Sequence, residues 1–199
     1  MRGNIDENNS AEDLLLCFAL SLACVSEATG EAVDQMWQTS ARSPCQGGVH
    51  AWRASVQGGG GPDIINGGPG NDEIHGQPGS DIINGDTGPD KAYGESGGDD
   101  IAGGAGNDFV HGQKGNDRLR GGPDEDFMFG GAGGDDMNGG RGPDFLFGET
   151  GNDTMRGGTG TDDLRGGPGV NDFGAGGPGQ GDFCQAATIE VIGPGCEGG

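Results

Sequence analysis

The stretch GGPGNDEIHG, residues 67–76, places four glycines, an Asp-Glu pair and one branched aliphatic side chain within ten residues. Neither regular element welcomes such a run. Each Gly costs a helix about 1 kcal/mol relative to Ala, and Gly inside a strand marks a bend or a bulge. The neighbours explain it. Read in nines from Gly58, the chain gives twelve units without a gap, ending at Arg165: GGGGPDIIN, GGPGNDEIH, GQPGSDIIN, GDTGPDKAY, GESGGDDIA, GGAGNDFVH, GQKGNDRLR, GGPDEDFMF, GGAGGDDMN, GGRGPDFLF, GETGNDTMR and GGTGTDDLR.

The columns carry the reading. Position 1 is Gly in all twelve units, and position 4 is Gly in eleven, with Asp124 the exception. Position 6 is always Asp: Asp63, Asp72, Asp81, Asp90, Asp99, Asp108, Asp117, Asp126, Asp135, Asp144, Asp153 and Asp162. Position 8 is always apolar, from Ile65 to Leu164. Six Gly-rich residues predict a tight turn, using backbone angles that Gly adopts cheaply. The last three predict a short strand with position 8 inward and positions 7 and 9 outward. One unit cannot bury its own apolar residue, so units must stack as a solenoid. Two units per coil give an all-β fold with two facing parallel sheets and 18 residues per turn. Twelve units make six turns, a stack of roughly 29 Å at about 4.8 Å per strand.

Composition narrows the function. Gly contributes 49 of 199 residues and only 30% of the chain is hydrophobic, so an ordinary packed core is not available. The net charge of −22 argues against nucleic acid or an anionic membrane as partner, since both need clustered Lys and Arg. Low hydrophobicity with high charge is also the signature of disorder, but acidic low-complexity sequence does not hold register through twelve units. The stack aligns its Asp residues in two columns of like charge, which repel unless a cation lies between turns. Carboxylates and exposed carbonyls are hard oxygen ligands suited to calcium. Magnesium keeps its waters and prefers octahedral sites, and zinc would want Cys or His ladders that the units lack. The units hold 21 acids and 7 bases; about ten calcium ions between successive turns would more than cancel that charge.

These units resemble the RTX (hemolysin-type) calcium-binding nonapeptide repeat, G-G-x-G-x-D-x-U-x with U a large apolar residue. The resemblance implies a right-handed parallel β-roll, calcium held by the position-6 Asp and loop carbonyls, and a chain that folds when calcium binds. Departures fall at position 2 (Gln77, Asp86, Glu95, Gln113 and Glu149) and at Asp124; main-chain ligands survive these if the backbone angles do. After Arg165 the register slips. GGPGVNDF (166–173) and GGPGQGDF (176–183) each carry one extra residue before the Asp, which makes Asp172 and Asp182 doubtful ligands.

Outer positions differ between the two faces. On one, Phe109, Phe127, Phe129, Phe145 and Phe147 fall within three neighbouring strands; on the other, Arg118 and Arg120 lie between Asp100 and Asp136. A large outward apolar patch is covered or functional. Here the N-terminal segment or the tail docks on it, or it binds a surface partner, a glycan or a second copy.

Four segments result: 1–28 a candidate export segment, 29–57 an N-terminal cap or linker, 58–165 the roll, and 166–199 degenerate repeats with a C-terminal cap. LLLCFALSLACV (14–25) is too short to span a bilayer. It suits a signal-peptide core, but MRGNIDENNSAED lacks the positive start a signal needs; an amphipathic helix is the other reading. Of the five Cys, Cys184 and Cys196 flank a strand-like ATIEVI and a GPG turn. A disulfide there would pin the tail to the cap, stabilising by roughly 3 kcal/mol. Disulfides and abundant calcium both point to a secreted or cell-surface protein.

No catalytic motif stands out. H-E-x-x-H is absent, and GESGG (94–98) matches the hydrolase elbow only as part of the repeat, without its strand–turn–helix context. The reading is a calcium-binding, exported β-roll that is not an enzyme, with a surface or matrix interaction role. The alternative is the C-terminal folding or secretion module of a secreted protease or lipase.

Overall fold

In the computed structural model, the structure describes residues 53–169, 171–179, 181–185, 189–192 and 194–197. The apolar run 14–25, both tryptophans' neighbourhoods upstream of Arg53, and Cys17, Cys24 and Cys45 lie outside them.

Among the described residues, seventeen strands form two parallel sheets. One contains β1 (Ser55–Gln57), β3 (Glu73–Pro78), β5 (Lys91–Ser96), β7 (Phe109–Lys114), β9 (Phe127–Ala132), β11 (Phe145–Thr150), β13 (Asp163–Arg165), β15 (Asp182–Gln185) and β17 (Cys196–Glu197). The other contains β2 (Ile64–Pro69), β4 (Ile82–Thr87), β6 (Asp100–Ala105), β8 (Arg118–Pro123), β10 (Asp136–Arg141), β12 (Thr154–Thr159), β14 (Asp172–Ala175) and β16 (Ile189–Ile192). Successive strands alternate between sheets, so the chain winds as a β-roll. From β1 to β13 pairing is in register at 18 residues: Ile74 faces Ala92, Val110 faces Met128, and Leu146 faces Leu164.

The strands are longer than the three residues expected, most of them six. The parallel ladder continues round the bend into positions 1–3, as where Gly70 N donates to Thr87 O at 2.8 Å. Position 2 turns the chain with positive φ without leaving the ladder. The non-Gly residues there comply: φ is 72° at Gln77, 84° at Asp86 and 69° at Glu149, and Asp124 at position 4 has φ 82°. The departures from Gly therefore keep the backbone of the repeat.

All twelve position-8 side chains are buried and form one core, Ile65 at 6% exposure and the rest at 1% or less. Strand pairing runs past the twelve units at both ends. Val56 on β1 pairs with Ile74 and packs against the core. At the other end Leu164 pairs with Cys184, which ends the apolar ladder of that sheet and is joined by a disulfide to Cys196.

Candidate metal centre

Each position-6 Asp sits at the junction of turn and strand, where main-chain bonds fix it, three for every one but Asp63. Its own N–H donates to the Oδ1 of the Asp one turn on: Asp90 to Asp108 at 2.8 Å, Asp117 to Asp135 at 2.9 Å. Its main-chain carbonyl accepts from position 7 of that next turn, as where Phe127 N donates to Asp108 O at 2.9 Å. From Asp81 to Asp162 its Oδ1 accepts in turn from the N–H of the preceding Asp, and Asp72 Oδ1 accepts from Ala54 N at 2.7 Å, so these eleven carboxylates are oriented by backbone alone. The result is two columns of Asp, eleven of the twelve repeat residues being 3% exposed or less. Asp63, in the first unit, is half-buried.

The other oxygen of each carboxylate is the informative one. Oδ2 is buried without a hydrogen-bond partner in all twelve repeat Asp, and also in Asp172 and Asp182. A buried anionic oxygen with no donor is costly, and fourteen in two files call for a shared cationic partner. Glycine supplies the room. A Cβ at Gly94 would meet Asp99 Oδ2 and, at 2.9 Å, the carbonyl oxygen of Gly112 in the next turn; Gly121 stands in the same relation to Asp126 Oδ2 and Gly139 O. At position 4, a Cβ on Gly115 would land on the Gly97 carbonyl, and one on Gly133 on the Gly115 carbonyl. Main-chain oxygens thus face neighbouring turns with no side chain between them.

Electrostatics agree. Burial pushes the carboxyl groups of the repeat Asp from Asp72 to Asp162 up from their ordinary value of 3.8, offset in part by the backbone N–H and aided, in all but Asp72, by neighbouring Asp charges. Asp108 and Asp144 rise to about 7 and Asp126 to about 8; Asp81, Asp90, Asp117, Asp135 and Asp153 rise to about 6. Without a cation, this site resists ionisation. Among the described residues no three His, Cys, Asp or Glu side chains converge on one point. An ion between turns would therefore take one or two carboxylates and otherwise main-chain carbonyls. That all-oxygen set fits calcium, which accepts 6–8 oxygens in flexible geometry, and offers zinc no nitrogen or sulfur.

The doubt about Asp172 and Asp182 arose from the extra residue before each. The turn absorbs it. Asp153 N donates to Asp172 Oδ1 at 3.0 Å and Asp162 N to Asp182 Oδ1 at 3.1 Å, the same bond as in the regular units. Gly181, with φ 85°, takes the extra step in the second of them. The retained NDF and GDF triplets were the available signal.

The five phenylalanines stand together on the outer face of the β1–β17 sheet. Phe127 and Phe145 stack at 4.6 Å, Phe129 and Phe147 at 4.9 Å, and Phe109 meets Phe129 at 5.3 Å. The line is longer than Phe alone predicts. His75 stacks on Tyr93 at 4.8 Å, Tyr93 meets Phe109 at 5.7 Å, and Arg165 lies 5.4 Å from the Phe147 ring centre. Ser96 of the GESGG match is an ordinary strand residue on β5, paired with Pro78 and Lys114.

The sequence profile of the RTX calcium-binding nonapeptide repeat (4 copies) matches the chain in overlapping windows, 57–92, 75–110, 93–128, 103–137, 111–146, 129–164 and 138–173. Together they span more than half of the chain. No curated protein matches its sequence.

Proposed function

The chain belongs to the RTX calcium-binding nonapeptide-repeat family, and from that premise we propose that it is an exported, non-enzymatic β-roll that calcium folds. Calcium binding is the property of its repeats. The finer reading assigns the ions, about ten of them, to the spaces between turns, held by Asp63, Asp72 and their successors to Asp162. The observation that carries it is the file of buried Oδ2 atoms without a partner. At low calcium the Asp columns repel and the chain stays open, suited to export; outside the cell, calcium neutralises them and the roll closes.

Once folded, the roll offers its aromatic line to a partner at a cell surface or in a matrix. Ring geometry favours a protein, or a second copy, over a glycan. The paired rings lie within 10° of parallel at about the strand spacing, so they cover each other's faces and turn their edges outward, whereas a sugar stacks on a ring face. Among the described residues no helix is long and apolar enough to cross a membrane.

The test is far-UV circular dichroism of the full chain after chelation, titrated with calcium and, separately, magnesium. A cooperative change from coil to β in calcium alone is expected. A spectrum that stays coil to about 10 mM calcium, the weak end for extracellular sites, overturns the reading.

A further inference from the structure

The Asp column outlasts the nine-residue units. Asp182 lies beyond the residues matched by the family profile, in the ten-residue unit GGPGQGDFCQ, 176–185. Yet it is 0% exposed and its Oδ2 has no partner. Inside the stack each such oxygen faces a following turn. For Asp182 the following turn is the short segment 194–197. Gly195 adopts φ 100°, and a Cβ there would meet the Gly177 carbonyl and, at 3.2 Å, Asp182 Oδ2. Gly177 N donates to Pro194 O at 3.2 Å. The two-residue strand β17 adds only the pairs Asp182–Cys196 and Phe183–Glu197. So short an edge strand is weakly held by its own bonds. The Cys184–Cys196 disulfide holds it, with the two Cα atoms 5.5 Å apart.

We propose that this disulfide-closed terminal turn is a further calcium site, built from the Asp182 carboxylate with main-chain oxygens of Gly177 and the 194–196 turn, and complete only when Cys184 and Cys196 are joined. It rests on the reading that position-6 Asp hold calcium between turns, and extends it to a unit of different length closed by a covalent staple. A plain end cap would leave Asp182 Oδ2 buried and unpaired, the arrangement that proteins avoid.

Native mass spectrometry of the full, oxidised chain in calcium counts the ions. Asp182→Asn is expected to carry one ion fewer than the parent. The Cys184→Ala/Cys196→Ala chain is expected to lose the same ion, and the triple variant to lose one and not two. Equal counts in parent and variants overturn the site and leave a plain cap. A loss in Asp182→Asn with none in the disulfide-free chain overturns the closure by the disulfide. A parent that binds no calcium overturns the underlying reading and this one with it, a result distinct from equal non-zero counts. If Asp182→Asn fails to order in calcium by circular dichroism, the disulfide-free chain, which alters no ligand, decides by its own count.

Discussion

The two sheets share one interior and differ outside. Facing the core, both present one Asp and one apolar side chain in every nine-residue unit. Outward, the β1–β17 sheet carries an aromatic line from His75 to Phe147. The β2–β16 sheet carries exposed ion pairs, Arg120 with Asp100 at 2.9 Å and Arg156 with Asp136 at 2.6 Å, beside an Asn84–Asn66 bond at 3.0 Å. It also exposes Ile64 and Ile82, so it is not uniformly polar. The interior is held to its pattern by burial and by the main-chain bonds that orient its carboxylates. The exterior is bound only by strand pairing, which any side chain tolerates, and so it is where one roll can differ from another.

Alterations of the shared interior should abolish both faces together, and with the largest effect. Met128→Asp buries a charge with no partner, at a cost above ~3 kcal/mol; both faces should break at that coil and the calcium-induced β signal should fall more than in any other variant, though Met128 touches neither face. Gly115→Ala follows. Its Cβ would meet the Gly97 carbonyl at a backbone φ of 144°, and the strain, above ~1 kcal/mol, should raise the calcium midpoint in the same titration.

Acidity should replace calcium in part. The folded pKa values of the column Asp from Asp72 to Asp162 lie above the unfolded value, so protonation favours the roll. That contribution is fully present below about pH 4 and is lost as pH rises through about 6 to 8. Chelated chain taken from pH 8 to pH 4 should therefore gain β signal without metal, and both faces should form.

The smallest effects separate the faces. Phe127→Ser, at a ring 39% exposed, should leave calcium-induced folding intact and weaken self-association in sedimentation. If parent and variant both sediment as monomers, the second copy is removed from the partners of that face. Arg120→Ala, on the ion-paired face, should shift stability by less than ~1 kcal/mol and leave sedimentation unchanged.

Much of this was legible at period nine. The Asp and apolar columns name the buried side chains because a two-residue alternation about a tight turn leaves, as a further inward position, only the position-1 Gly, which has no side chain. What escaped had physical reasons. Strand length escaped because hydrogen bonding follows the 18-residue stacking through bends that composition marks as turn. The continuation through Asp172 and Asp182 was obscured because a loop can hide an added residue while the strand after it keeps its place. Val56 and Cys184 escaped the period since Val56 precedes the first complete unit and Cys184 sits in a unit of ten, yet each lies where stacking places an inward side chain. The aromatic line was seen only as phenylalanine, and its length depends on His75 and Tyr93, which pack as rings whatever their polarity.

The winding itself has a mechanical consequence. Among the described residues each turn pairs with the neighbouring turns, about 18 residues away, so tension along the roll meets no strand pairing that spans its whole length. A molecule pulled from its N-terminal end should lengthen in near-equal increments, one per coil, each releasing roughly 60 Å of chain at 3.3–3.6 Å per residue. The unravelling should halt at Cys184, where the covalent link to Cys196 turns the last coil into a knot at the end of the rope.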